Sequence, residues 1–271
     1  MKSSNPVFVN SDTFNGRANY GYQTYPANGP YPGYGQAGYR DPATWQVGTP
    51  TVPGRMTIDS TVQKTAATLG LVVAAAAVTW VALPDNLLGM AWIGGAIVGL
   101  LVGLVISFSR NVSPALVMVY AVAEGAFIGA ASKAFEAAYP GVVVGAVLGT
   151  VAATVGTLAA YKFFNISVTD KFRKYVTAAI FGFVAVSLLD FVLQFFGANF
   201  GFNGLGAMGL VSSVVGLGLG ILMLILDFDY IERAVAAGAP ERESWRAAFG
   251  LTVTIVWIYI ELLRILAIFR N

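Results

Sequence analysis

Residues 226–234 read LDFDYIERA and bring Asp227, Asp229, Glu232 and Arg233 together directly after roughly twenty residues without a charge. A second constellation lies in residues 257–269, WIYIELLRILAIF, where Glu261 and Arg264 are three positions apart and share a helix face. Two carboxyls that meet in a low-dielectric site cannot both ionise cheaply, so they share a proton or hold a cation. Asp227 and Asp229 are about 200° apart around a helix, so only one of them can face a bundle interior. The other should face headgroups, water or the loop. A Ca²⁺ ion usually takes six to eight oxygens, so Asp227 and Glu261 would need backbone carbonyls, Asn or water to complete a site.

Other chemistries are excluded by composition. There is no cysteine and no histidine among the 271 residues. Thiolate and His-based metal sites, haem ligation by His and Ser-His hydrolysis are therefore absent, and the chain is expected not to be an enzyme and to need no cofactor. A net charge of +2 without a basic cluster gives no basis for nucleic-acid binding.

These residues must be positioned in a membrane. Hydrophobic residues make up 56% of the chain and charged residues 11%, against about 25% charge in soluble domains. A helix needs about 20 apolar residues to cross the hydrocarbon core. Seven stretches qualify: 62–83, 88–108, 114–134, 141–161, 174–197, 205–227 and 247–269. Glycines inside them, as in GLGLG at 216–220, allow close helix approach and do not form a nucleotide loop. Residues 1–55 are rich in Tyr, Gly and Pro and poor in aliphatic side chains, which predicts a disordered tail. The first residues lack the apolar run of a signal peptide.

With the N-terminus in the cytoplasm, inside segments hold ten Lys or Arg and the other side three. That orientation is the expected one. Seven spans then place the C-terminus outside.

Ionisable residues inside the spans are functional candidates by default. Lys64 is near a span end and can snorkel. Glu124 is too deep for that, and is either a buried hydrogen-bonded carboxyl or part of an ion path. Asp190 shares a face with Gln194, which suggests an interhelical hydrogen-bond site. Glu261 and Arg264 lie near the middle of the last span, where neither is stable unless other helices cover it, so the C-terminal helix should be central. Whether Asp227 meets Glu261 depends on the intervening turn. A turn centred near residue 244 puts them at one depth, whereas a turn at Gly238–Pro240 offsets them by about ten residues, about 15 Å.

The motifs RMTIDSTVQKTAATLG (55–70), SPALVMVYAVAEGAFIGA (113–130), LDFDYIERAVAAGAPERESWRAAFGLTVT (226–254) and IYIELLRILAIF (258–269), with SSNPVF at 3–8, occur in an order that resembles the Bax inhibitor 1/YccA-like family. This is also called the transmembrane Bax inhibitor motif family, and the likeness is to its actinobacterial-type branch. The resemblance implies an all-α integral membrane protein, a seven-helix bundle over 56–271 with the C-terminal helix central, preceded by a disordered cytoplasmic tail over 1–55. It implies a bacterial plasma membrane location and a pH-sensitive Ca²⁺ leak through a carboxylate pair on the last two helices. By motif the matching positions are Asp227 and Glu261, with Glu in place of the family's Asp, which implies that Asp227 faces inward toward Glu261 and Asp229 points away. Some members have an arginine on the second helix that latches the pair. None lies inside 88–108 here, so Arg110 at its end and Arg264 are the alternatives. The other function that the resemblance allows is a non-transporting regulator that binds a membrane protease or stress-response partner through residues 1–55.

Overall fold

A computed structural model describes residues 54–194 and 196–271. The expectation of a disordered tail falls on residues 1–55, nearly all of which lie outside that description. Seven long helices follow: α1 Ile58–Ala82, α2 Leu88–Phe108, α3 Pro114–Ala138, α4 Val142–Phe163, α5 Asp170–Gln194, α6 Ala207–Ala236 and α7 Glu243–Arg270. All seven are long and apolar enough to cross a membrane. They match the seven expected stretches, and most run a few residues further at their polar ends.

The boundaries have local causes. Thr57 and Ser60 form a reciprocal capping box at the start of α1, so two of its unpaired N–H groups gain partners. Pro84 follows the end of α1, and Pro114 opens α3, where a missing N–H does no harm. Gly141 turns the chain between α3 and α4 with φ +89°. The Glu136 carboxylate accepts from the N–H groups of Gly141 and Val143 (2.6 and 3.1 Å) and caps α4 from the preceding helix. Between α6 and α7 the turn is made by Gly238, at φ +67°, and Pro240.

Lipid tails are as apolar as leucine, so helices in a bilayer associate through close packing rather than hydrophobic burial. Glycines supply that closeness here. A Cβ added at Gly125 or Gly129 of α3 would run into the backbone of Val72 or Ala76 of α1. At Gly220 of α6 it would come within 2.9 Å of Ile258 of α7. The outward faces carry exposed aliphatic and aromatic side chains such as Leu100, Val155 and Phe181.

The C-terminal helix α7 is central, as expected, and reaches all six others. Ser244 shares a hydrogen bond with Ser60 of α1 (2.8 Å), and Arg246 donates to the Ser109 carbonyl at the end of α2 (3.0 Å). Tyr259 bonds Ser132 of α3 (2.7 Å), and Leu262 packs against Gly149 of α4. The Trp257 ring lies 5.5 Å from Phe183 of α5, and its N–H donates to the Gly216 carbonyl of α6 (3.0 Å).

Candidate functional site along the central helix

The turn at Gly238–Pro240 decides how α6 and α7 register. Asp227 of α6 accepts a hydrogen bond from the Thr254 hydroxyl of α7 (2.6 Å), and its other oxygen lies 3.6 Å from where a Gly250 Cβ would be. Glu261 is seven residues beyond Thr254 on the same helix, about 10 Å of rise. It sits instead against Gly216, which is eleven residues before Asp227 on α6. The contact pair expected from the motifs, Asp227 with Glu261, is therefore not the pair that the helices make. The partner opposite Asp227 is Thr254, because the short turn closes α6 onto the first half of α7.

Glu261 is buried and ion-paired with Arg264 (3.0 Å). Arg264 also donates to the carbonyl of Phe202 (2.8 Å) and to the Ser212 hydroxyl (3.2 Å), which ties the pair to the α5–α6 loop. The room for Glu261 comes from Gly216: a Cβ there would lie 2.5 Å from its Oε1. Glu124 of α3 is accommodated in the same way. Its Oε2 would lie 2.8 Å from a Cβ at Gly99 of α2, and it interacts with Tyr120 one turn earlier.

Two openings border these groups. Asp227 lines a cleft of about 280 Å³ with Ser107, Tyr230 and Arg246. Glu261 and Glu124 line another of about 300 Å³, with Ser187, Phe183 and Trp257 in its walls. Along α7 the two clefts occupy residues 246–250 and 253–261, so one side of the central helix carries both.

The other candidates resolve into structure. Asp190 is completely buried and accepts the N–H groups of Phe200 and Asn203 (2.9 Å each). It organises the loop after α5 rather than pairing with Gln194, which is exposed. Arg110 has an exposed side chain, and its carbonyl accepts from Arg246 (3.0 Å), so it does not latch the interior carboxylates. Asp229 points away from Asp227, as the helix geometry requires, but not into water. It is buried and salt-bridged to Arg173 (2.7 Å) and Arg233 (2.9 Å), because the start of α5 folds over that face of α6. Lys64 pairs with Glu241 (2.5 Å) and Lys162 with Glu232 (2.6 Å) at the same end of the bundle. Sequence reasoning missed Thr254 and the burial of Asp229. The signal for the first was the turn residue pair Gly238 and Pro240, which selects the offset register.

Among the described residues no group of three or more acidic side chains is placed to hold a metal ion. The separate carboxylates of Asp227, Glu124 and Glu261, the last already paired with Arg264, suit transient occupancy by a proton or a hydrated cation better than a resident metal.

Six membrane-length helices around a central seventh, with acids beside its clefts, define a multi-pass helical membrane protein with buried acids in its spans. The family comparison narrows the class: residues 5–271 match the model described as Bax inhibitor 1 like. The chain belongs to that family. Among curated proteins no match was found.

Proposed function

We propose that the protein is a pH-sensitive cation leak pathway, with Ca²⁺ as the cation, gated at Asp227 and Glu261. The observation that supports this is the placement of both acids beside separate clefts on one side of α7. An interior carboxylate in a membrane must be compensated by a proton, a cation or a basic partner. Asp227 has a single neutral hydrogen-bond donor, Thr254, and no basic partner among the described residues. A proton and a cation therefore compete for it.

The offset changes how the two acids act. Offset by seven residues along α7, about 10 Å of rise, and with Glu261 ion-paired to Arg264, the two acids repel too weakly to drive helices apart. Each acid instead acts at its own level, and deprotonation admits the cation there. No enzymatic activity is assigned. The bundle is placed in a bacterial plasma membrane with the basic-rich end, which holds Lys64, Lys162, Arg173 and Arg233, in the cytoplasm.

Ca²⁺ flux into proteoliposomes is measured against pH for the wild-type chain, D227N and E261Q. Wild-type flux should rise with pH, and each variant should lose that dependence. Identical pH profiles in all three would overturn the mechanism. Deleting residues 1–53 distinguishes the regulator reading: a leak pathway keeps its flux, whereas a tail-dependent regulator loses its partner.

A further inference from the structure

We propose that the apolar groove between α1 and α4 seats one acyl chain of a bilayer phospholipid against the central helix. The groove, about 530 Å³ in volume, is walled by α1 from Leu69 to Val81 and by α4 from Val143 to Val151. Its floor is Ile128 and Gly129 of α3 with Ile255, Val256 and Tyr259 of α7. Ile128, Val256 and Tyr259 are buried, whereas Val73, Val81 and Val151 on the rims are exposed. The groove therefore opens sideways into lipid and leads to α7, which other helices cover elsewhere.

Its length and position fit one leaflet. Leu69 to Val81 is twelve residues, about 18 Å of helix rise, and half of the hydrocarbon core is about 15 Å. Val81 adjoins the end of α1 at Ala82, and Val143 adjoins the start of α4 at Val142. The groove thus runs from a membrane interface, at the end opposite the basic-rich one, to the bilayer middle. Trp80 at its mouth has the amphipathic ring enriched at headgroup level.

The lining excludes water as the occupant. Its hydroxyls are engaged within the protein: Ser132 and Tyr259 share a hydrogen bond (2.7 Å), and Thr150 donates to the Ala146 carbonyl (2.7 Å). An apolar space without free polar partners stays dry, and leaving it empty forfeits the dispersion contacts of its walls. At this depth an acyl chain has the shape and polarity to fill it.

Charge at the mouth selects the molecule that carries the chain. Arg270 lies against the α3–α4 turn, 3.5 Å from where a Gly141 Cβ would stand, and donates to the Pro140 carbonyl (2.7 Å). It makes no salt bridge among the described residues, because the nearby Glu136 carboxylate caps α4 through Gly141 and Val143. The remaining guanidinium donors of Arg270 suit a headgroup phosphate.

The test reads lipid contact directly and does not depend on ion flux. The full-length protein is reconstituted in phosphatidylethanolamine–phosphatidylglycerol liposomes that contain a phosphatidylglycerol with a mid-chain diazirine. After irradiation, adducts are mapped by peptide mass spectrometry. They should fall on Ile255 and Tyr259, which lipid on the outer faces does not reach, and on exposed Leu100 of α2. V147W fills the groove and should remove the α7 adducts while leaving those at Leu100. V155W, at an exposed position of α4 outside the groove, should change neither. R270Q should lower the ratio of α7 to Leu100 adducts. Wild-type protein without adducts at Ile255 and Tyr259, as when a second copy of the chain covers the groove, overturns the proposal. So do α7 adducts that persist in V147W. An unchanged ratio in R270Q overturns the phosphate contact. If V147W does not fold, A77F in the opposite wall narrows the groove and is read in the same way.

Discussion

Asp227 and Asp229 are two residues apart and meet opposite fates. Asp229 is held between two arginines, Arg173 and Arg233, at the basic end of the bundle. Asp227 has one neutral hydroxyl donor and borders a cleft. The wider molecule repeats this division. Glu232, Glu241 and Glu243 are each matched to a lysine or arginine near a helix end, whereas Glu124 and Asp227 in the spans have no basic partner among the described residues. A carboxylate matched to a base near a helix end is part of the scaffold, whereas Glu261 is paired with Arg264 but still borders a cleft within the spans. One left for a proton or ion to compensate can respond to conditions.

The comparison can be broken most forcefully at Asp229. D229N should lower stability by about 2–3 kcal/mol, less than a fully buried pair would lose because both arginines are half exposed. A thermal melt in detergent checks this, and any loss of flux should track the folded fraction. Next comes Gly216. G216A forces a methyl against Glu261 and Phe183 and should cost about 1–3 kcal/mol by overpacking, with reduced Ca²⁺ flux even after correction for folded protein. D227N should change the melt by less than about 1 kcal/mol while abolishing pH-dependent flux. If D227N and D229N proved equally destabilising, the distinction between the two aspartates would fail. T254V removes the donor to Asp227 and should alter the midpoint of the pH–flux curve, with T254S restoring it. The smallest effect is expected at Arg110. R110A should leave melt and flux within error, since its side chain is exposed and surface changes typically stay within about 0.5 kcal/mol.

The architecture was legible in the sequence because it depends on local signals. Apolar runs of membrane length gave the seven helices, and Pro84, Pro114 and Gly141 marked their breaks. The buried acid–base pair Glu261–Arg264 required a covered, central last helix. The pairing of interior groups was less accessible because it depends on axial register. Moving the α6–α7 turn by a few residues exchanges Thr254 for Glu261 opposite Asp227, and both turns were compatible with the sequence. The shared cleft of Glu124 and Glu261 depends on how α3 and α5 flank α7, which no local pattern encodes. The burial of Asp229 likewise required Arg173 to arrive from another helix.

Asp190 has a consequence for how the protein enters a membrane. Its carboxylate is wholly buried, and the backbone donors that compensate it, Phe200 and Asn203, lie within thirteen residues on the same connection. The polar burden of α5 is thus neutralised inside the α5–loop–α6 hairpin, without help from any later segment. During synthesis Asp190 can therefore enter lipid already satisfied, whereas Asp227 on α6 waits for Thr254, so the arrival of α7 completes the polar pairing of the wall it joins.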